Sequence, residues 1–437
     1  MVGALLRPDT QPPDQSAPHP LRRLAASSGV AAVALAAAAV LGLIHPSAPD
    51  GWQSDLITDG QGARYVVVAG RLHPVANLAS AKLILGRDFK RADVSDKALA
   101  TLKKSQGPAV GIIGAPETLP GTADLDLKDW SLCSAAGKTV VEVGYPASGG
   151  ALMGSQAILV QDETRQQYVV SGGTKYKVFD RNVLVAFNVP MLKPRMVPSS
   201  WLAALPSGDP LGIPRVPGTF AAVARHPAPA GFNRVGMFGK TLAANGTAAY
   251  YVVSGAGLTP VSLTVYELYQ REPRLAQYKE TERILAQSAI TEDMLAPPAP
   301  GLNWPTDPPQ FPAAAQDPAK AAVCVSFGGA YDESGRAEFT LSVSAALPHP
   351  LEAGEAGAGP GDIASGHGAE VQDDSGQKPA KVYLITDSGA RYQLVDDAAA
   401  RLGYADVTPA KVPAAWLNLL VAGPPLDAAA AAGSSVP

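Results

Sequence analysis

The stretch that most constrains this chain is Leu24–Ile44, "LAASSGVAAVALAAAAVLGLI", 21 positions without a charged residue. As a helix it reaches roughly 31 Å, about the hydrocarbon thickness of a bilayer. Arg22 and Arg23 stand directly before it and the next basic residue is Arg64. The positive-inside bias therefore predicts residues 1–23 in the cytoplasm and the chain beyond about residue 46 outside. A cleavable signal peptide is the competing reading. Against it, the leader is proline-rich and contains Asp9 and Asp14. The apolar run also exceeds the roughly 7–15 residues of a signal core, and no clean A-x-A follows. Either reading exports residues 50–437.

Charged residues make up 17% of the chain, below the roughly 25% usual for soluble domains. With 43 glycines and 40 prolines, turns should be many and long helices few. A net charge of −4 supplies no basic patch, which excludes nucleic acid as a partner. The two cysteines are Cys133 in "WSLCSA" and Cys324 in "AVCVSFG". Neither belongs to a C-x-x-C pair, so zinc and thioredoxin-like sites are poor readings. Two buried free thiols would suit a cytosolic chain, whereas export favours a Cys133–Cys324 disulfide.

Gly62-Ala63-Arg64-Tyr65 recurs as Gly389-Ala390-Arg391-Tyr392, in the frames "DGQGARYVVVAG" and "TDSGARYQLVDD". After Tyr65 come an apolar strand, an Ala-Gly turn, a short second strand and a helix-like run. "VSDKALATL" follows, with Ser95 as the expected N-cap and Asp96 in the first turn. "RQQYVVSGGTKYKV" opens a second copy at Tyr168 and leads to "VPSSWLAALPSGDP". Tyr65 to Ala98 and Tyr168 to Trp201 both span 33 positions. "AYYVVSGAGLTPV" opens a third copy at Tyr251, with Thr291 as a later cap. The second Gly-Ala-Arg-Tyr opens a fourth at Tyr392, followed by "VPAAWLNLLVAGPP". Pro198 and Pro413 suit first helical turns. Gly208, Gly301 and Gly423 each follow a helix leucine by six residues, where a left-handed glycine can close the helix.

The pattern predicts a β-turn-β-helix-helix module used four times. The tyrosines lie 103, 83 and 141 positions apart, too uneven for a solenoid. "TVVEVGYPA", "GFNRVGMFG" and "EFTLSVSAAL" read instead as strands of a separate β core that holds both cysteines. The fold class is α+β: an N-terminal membrane helix, then four small β-β-α-α repeats around a β-rich core. Repeats are expected at 50–118, 158–217, 242–309 and 379–427. Core segments are expected at 119–157, 218–241 and 310–351, a disordered loop at 352–378 and a tail at 428–437.

Several strings are more specific than the repeat itself. "LRRLAASS" precedes the apolar run and "GLIHP" closes it. Trp52 and "GARYVVVAGRLHPVANLASAKLILG" follow, and "GPAVGIIGAPETLP" leads into "WSLCS". From about residue 20 to its end the chain resembles the EccB family, membrane components of the type VII (ESX) secretion system of actinobacteria. The resemblance implies a short cytoplasmic N-terminus, one membrane helix, and a large extracytoplasmic region of four repeats around a disulfide-bearing core. It implies EccC, EccD and EccE as partners, together with further copies of the chain. An ATPase activity has been attributed to the family.

The residues themselves build no nucleotide site. Gly137-Lys138-Thr139 imitates the end of a phosphate-binding loop, but the glycine required at position 132 is Leu132. A hairpin turn explains it better. Asp387, closing "KVYLITD", imitates a magnesium-binding strand within the fourth repeat. His19, His45, His73, His226 and His349 all precede proline, and none has a second histidine three to five residues away. His73 reads as a packing residue. No G-x-S-x-G, H-E-x-x-H or spaced carboxylate pair stands out, so no catalytic residue, cofactor or metal ligand is expected. Two functions follow: a structural subunit of a secretion complex, or an anchored protein that binds cell-wall glycans. In the second, Tyr65, Tyr168, Tyr251 and Tyr392 would be the stacking residues.

Overall fold

The computed structural model describes residues 50–126, 128–145, 149–223, 229–279, 283–297, 303–317, 322–347 and 361–433. The expected tail at 1–23 and membrane helix at 24–44 lie outside them. Among the described residues no helix is long and apolar enough to cross a membrane. Residues 50–74 and 89–107 form one compact unit, and 75–88 with the described residues from 108 onward form another.

The first unit is a small sheet of β1 (Leu56–Thr58), β2 (Arg64–Val68), β3 (Arg71–Pro74) and β4 (Arg91–Asp93), in the order β3-β2-β1-β4. Neighbours run antiparallel except the β1–β4 pair, which is parallel. Ile57, Tyr65, Leu72, Ala92 and Val94 make its core with Leu99. Helix α1 (Leu78–Leu85) belongs to the second unit, and α2 (Asp96–Lys103) returns to the first. The Ser95 hydroxyl accepts from the Ala98 N–H, the N-cap expected from the sequence.

In the second unit, β5 (Trp130–Ala135), β6 (Lys138–Val143) and β7 (Gly150–Leu152) enter a central sheet. A small sheet follows: β8 (Ala157–Gln161), β9 (Gln167–Ser171), β10 (Thr174–Lys177), α3 (Asn182–Ala186), β11 (Arg195–Met196) and α4 (Ser199–Ala203). The next contains β12 (Phe238–Leu242), β13 (Ala248–Ser254), β14 (Gly257–Val261), α5 (Leu263–Arg271), α6 (Ala276–Lys279) and β15 (Arg283–Leu285). After α7 (Ala313–Gln316), β16 (Ala322–Phe327), β17 (Thr340–Ser344) and β18 (Gly361–Ile363) complete the central sheet, ordered β18-β6-β5-β16-β17-β7. The last small sheet has β19 (Gly368–Asp373), β20 (Val382–Thr386), β21 (Ala390–Leu394), α8 (Ala398–Leu402), β22 (Ala410–Val412), α9 (Ala414–Leu417) and β23 (Val421–Ala422), before α10 (Ala428–Gly433).

The four small sheets share the order third-second-first-fourth, with the fourth strand parallel to the first, and the last sheet adds β23 parallel to its third strand. The expected β-β-α-α unit therefore lacks a strand before the tyrosine strand and another between the helices. Many of these extra strands run only two to five residues (Leu56–Thr58, Arg91–Asp93, Arg195–Met196), too short to show alternation in sequence. The third sheet opens at Phe238, so "GFNRVGMFG" leads into a small sheet and not into the central one. The disordered loop expected at 352–378 is wrong from residue 361 onward, where β18 and β19 pair with neighbours. The backbone ladder needs no aromatic residue, which is why composition misled there. Thr291 precedes only a 3-10 turn, Glu292–Met294, and its side chain makes no capping bond.

The Gly-Ala-Arg-Tyr copies occupy different places. Gly62–Tyr65 leaves the β1–β2 turn and puts Tyr65 on a second strand, whereas Gly389–Tyr392 leaves the β20–β21 turn and puts Tyr392 on a third. The true counterpart of Tyr65 and Tyr168 is Tyr383, which precedes Trp416 by the same 33 positions. Both turns combine an aspartate with a glycine at positive φ, 84° at Gly62 and 73° at Gly389. Turn chemistry accounts for the shared glycine and its nearby aspartate, not for a shared place in the sheet.

Packing repeats as well. Helix α3 packs on α5, and α1 packs on α8 and α10. Trp201 and Leu202 of α4 and Trp416 and Leu417 of α9 enter the large core beside the central sheet.

Candidate functional site

The central sheet carries the two cysteines. Cys133 and Cys324 lie directly opposite on β5 and β16, Cα atoms 4.0 Å apart, and are joined as a disulfide. Both are fully buried, because strands flank β5 and β16 on either side. Alternation sends Leu132, Val323 and Val325 into the large core, where the Trp201 indole donates to the Leu132 carbonyl at 3.0 Å. The cysteines face the other way, in a small apolar cluster with Ala322. The buried Glu142 carboxyl reaches within 3.5 Å of Cys133 Sγ.

Gly137-Lys138-Thr139 forms the turn between β5 and β6. Ala136 (φ 49°) and Gly137 (φ 74°) are its two central residues, the type I′ arrangement that matches strand twist. A phosphate loop needs inward-facing N–H groups with a helix start behind them. Here Lys138 is the exposed first residue of a strand, and Thr139 Oγ1 lies 2.6 Å from the Ser200 hydroxyl. Asp387 accepts from the Gly366 N–H at 2.8 Å, so its carboxylate ties the β20–β21 turn to the β18–β19 turn.

The four tyrosines named for glycan stacking are packing residues. Tyr65 is 9% exposed and Tyr392 6%, while the half-buried Tyr168 and Tyr251 pack on apolar clusters. In the first unit the Tyr65 hydroxyl lies 3.3 Å from Asp59 Oδ2, and the Lys103 ammonium sits 5.5 Å from the ring centre. Burial pushes the Asp59 carboxyl up, but N–H bonds from Ala63 and Gln61 and the Lys103 ammonium outweigh it and hold it low. Tyr392 lies over Gly423 as Tyr176 lies over Gly208, and a Cβ at either glycine would run into the ring. Neither glycine has positive φ, so they are required by close approach and not as left-handed helix closures. Gly301 is outside the described residues. His73 packs on Gly107 in the same manner, within the first unit.

A cleft of about 930 Å³ opens between the β9–β10 hairpin, the β16–β17 connection and the start of α9. Two of its carboxylates, Asp332 and Asp374, are committed to local structure. Asp332 accepts from the N–H groups of Ser334 and Arg336 at 2.8 and 2.9 Å, and Asp374 from the Ala414 N–H at 2.8 Å. No group of three or more His, Cys, Asp and Glu is arranged to hold a metal among the described residues.

Comparison with known proteins decides the family. The profile described as "Type VII secretion system ESX-1, transport TM domain B" matches residues 1–436. The chain belongs to the EccB family. As an EccB protein it is a component of a type VII secretion membrane complex. It is 27% identical to the ESX-1 secretion system ATPase EccB1 of Mycolicibacterium smegmatis (strain MKD8), over 98% of this chain and 91% of that one. It is also 27% identical to the ESX-3 secretion system ATPase EccB3 of Mycobacterium tuberculosis (strain H37Rv), over 89% of this chain and 78% of the relative. Among solved structures, a chain of the intact ESX-5 inner membrane complex superposes with a TM-score of 0.64 at 22% identity, covering 95% of this chain and 89% of that one. The EccB3 dimer from the ESX-3 core complex gives 0.63 at 23%, covering 86% and 99%. Both folds agree with the mixed, strand-rich architecture described above.

Proposed function

We propose that this EccB chain is a single-pass scaffold, with residues 1–23 in the cytoplasm, 24–44 in the membrane and the remainder outside. The observation that carries the reading is likeness along almost the whole chain, in sequence and fold, to members of ESX membrane assemblies. The second and fourth small sheets each run β-β-β-α-β-α, the third keeps the four strands with a 3-10 turn for its last helix, and their outer faces offer protein-binding surface. Partners are components of the EccC, EccD and EccE types and a second copy of this chain, the last supported by the dimer of a relative. The Cys133–Cys324 bond forms after export.

Wall binding is the weaker reading, because Tyr65 and Tyr392 are buried. The two readings separate in one experiment. The full chain, tagged after residue 437, is purified from native membranes and also offered to purified peptidoglycan. Co-purification of the other secretion components without wall retention is the expected result. Specific wall retention with no co-purifying component would overturn the scaffold reading. A reporter active only outside the cytoplasm should work at residue 437 and stay silent at residue 1.

A further inference from the structure

Glu370 is the third residue of β19 and only 2% exposed. Its strand neighbours Ala369 and Val371 point into the large core. Alternation therefore turns Glu370 to the opposite face, beside its cross-strand partner Leu384. Leu384 belongs to the apolar layer built from Ala79 and Leu83 of α1, Ala398 and Leu402 of α8, Tyr404, and Ala431 of α10. Among the described residues, Glu370 Oε2 has no hydrogen-bond partner. A carboxyl in such a place favours its neutral form.

The ionisable groups on the surrounding elements are engaged elsewhere. The Tyr404 hydroxyl donates to the Pro120 carbonyl at 2.8 Å. Lys82 of α1 donates to the Leu402 carbonyl at 3.1 Å, and Arg401 of α8 to Asp397 at 2.7 Å and the Leu83 carbonyl at 3.1 Å. Asp126 and His367 pair at 2.9 Å, and Asp427 accepts from the Ala429 N–H at 2.7 Å at the start of α10. Burial alone pushes the Glu370 carboxyl up to about 7. Burial also raises the Tyr404 hydroxyl, and the Glu370 charge adds to it.

We propose that Glu370 is a proton-dependent latch in the layer that holds α1 against the fourth small sheet: neutral it packs with the layer, ionised it loosens α1. The folded state holds this proton more tightly than the unfolded chain, whose carboxyl titrates near 4.5. The stabilisation is therefore complete below about pH 4.5, declines as pH rises, and is gone above about pH 7.

Amide exchange at α1, corrected for the intrinsic chemical rate, tests this in the full-length protein in detergent. It is read at about pH 5 and about pH 8.5 in wild type, Glu370→Gln and Glu370→Met. Wild type should lose protection at α1 by about tenfold or more across that range, and both variants by less than about threefold. Equal loss in all three proteins would overturn the latch. So would failure of both variants to fold, because a neutral side chain of this size should suit the layer.

Discussion

The second and fourth small sheets differ from the third in what their last helix does. In the second and fourth, a proline-led helix drives Trp201 or Trp416, both fully buried, into the core beside the central sheet. The chain then returns past the third strand, where Gly208 N–H donates to the Lys175 carbonyl and Gly423 N–H to the Arg391 carbonyl, both at 2.9 Å. In the third sheet the same backbone bond exists, from Ala296 N–H to the Leu258 carbonyl at 3.0 Å, but the helix has shrunk to Glu292–Met294. The residue after the accepting carbonyl there is Thr259, where the second and fourth sheets have Tyr176 and Tyr392. A large ring demands glycine, and a small threonine admits alanine. What persists from sheet to sheet is a backbone bond, and the residues beside it differ in volume, ring with glycine in two sheets and threonine with alanine in the third.

The largest expected effect breaks the comparison at the helices. Trp416→Ala should destabilise the protein by about 3–5 kcal/mol, by cavity formation in a shared core. Met294→Ala, at the corresponding place in the third sheet, should cost less than about 1 kcal/mol. Denaturant midpoints compare the two, and equal costs would erase the distinction.

Removing the disulfide comes next. A loop of about 190 residues implies stabilisation of several kcal/mol on loop-entropy grounds. Cys133→Ser with Cys324→Ser should therefore lower stability by about 2–5 kcal/mol. Because α4 and α9 press on the central sheet, exchange protection should fall first in the second and fourth small sheets and last in the third. Uniform loss would mean that the third is equally tied to the core. Thiol blocking of the wild-type chain without reductant should find no free cysteine.

The smallest effect concerns the turn that imitates a phosphate loop. Lys138→Ala removes an exposed strand residue and should change stability by no more than about 0.5 kcal/mol. Secretion should continue nearly unchanged. ATP hydrolysis by purified protein that vanished with Lys138→Ala would contradict the hairpin reading.

Much of this was legible in the sequence, unevenly. The Ser95 cap and a hairpin turn at Gly137-Lys138 are local chemistry, and the structure has both, the turn's central pair being Ala136 and Gly137. The tyrosine strands and the helices at Trp201 and Trp416 were visible because their spacing and prolines survive in two copies. The short edge strands were not, since two or three residues carry no period. The Gly-Ala-Arg-Tyr match misassigned the fourth tyrosine because the turns before a second and a third strand both call for glycine; the 33-residue interval back from Trp416 points to Tyr383 instead. Gly208 and Gly423 were seen, but the rings that require them are strands away in the chain. Glu370 gave no signal, because a lone glutamate in "GAEVQDD" reads as surface until the sheet buries it.

The claim that the residues beside this backbone bond are matched in volume is tested most directly by a double-mutant cycle on Tyr392 and Gly423. Gly423→Ala alone should cost about 1–3 kcal/mol, the usual range for overpacking. In a Tyr392→Thr background, which copies the Thr259–Ala296 pair of the third sheet, the same substitution should cost less than about 0.5 kcal/mol. Costs that add, leaving a coupling energy within about 0.3–0.5 kcal/mol of zero, would contradict the account.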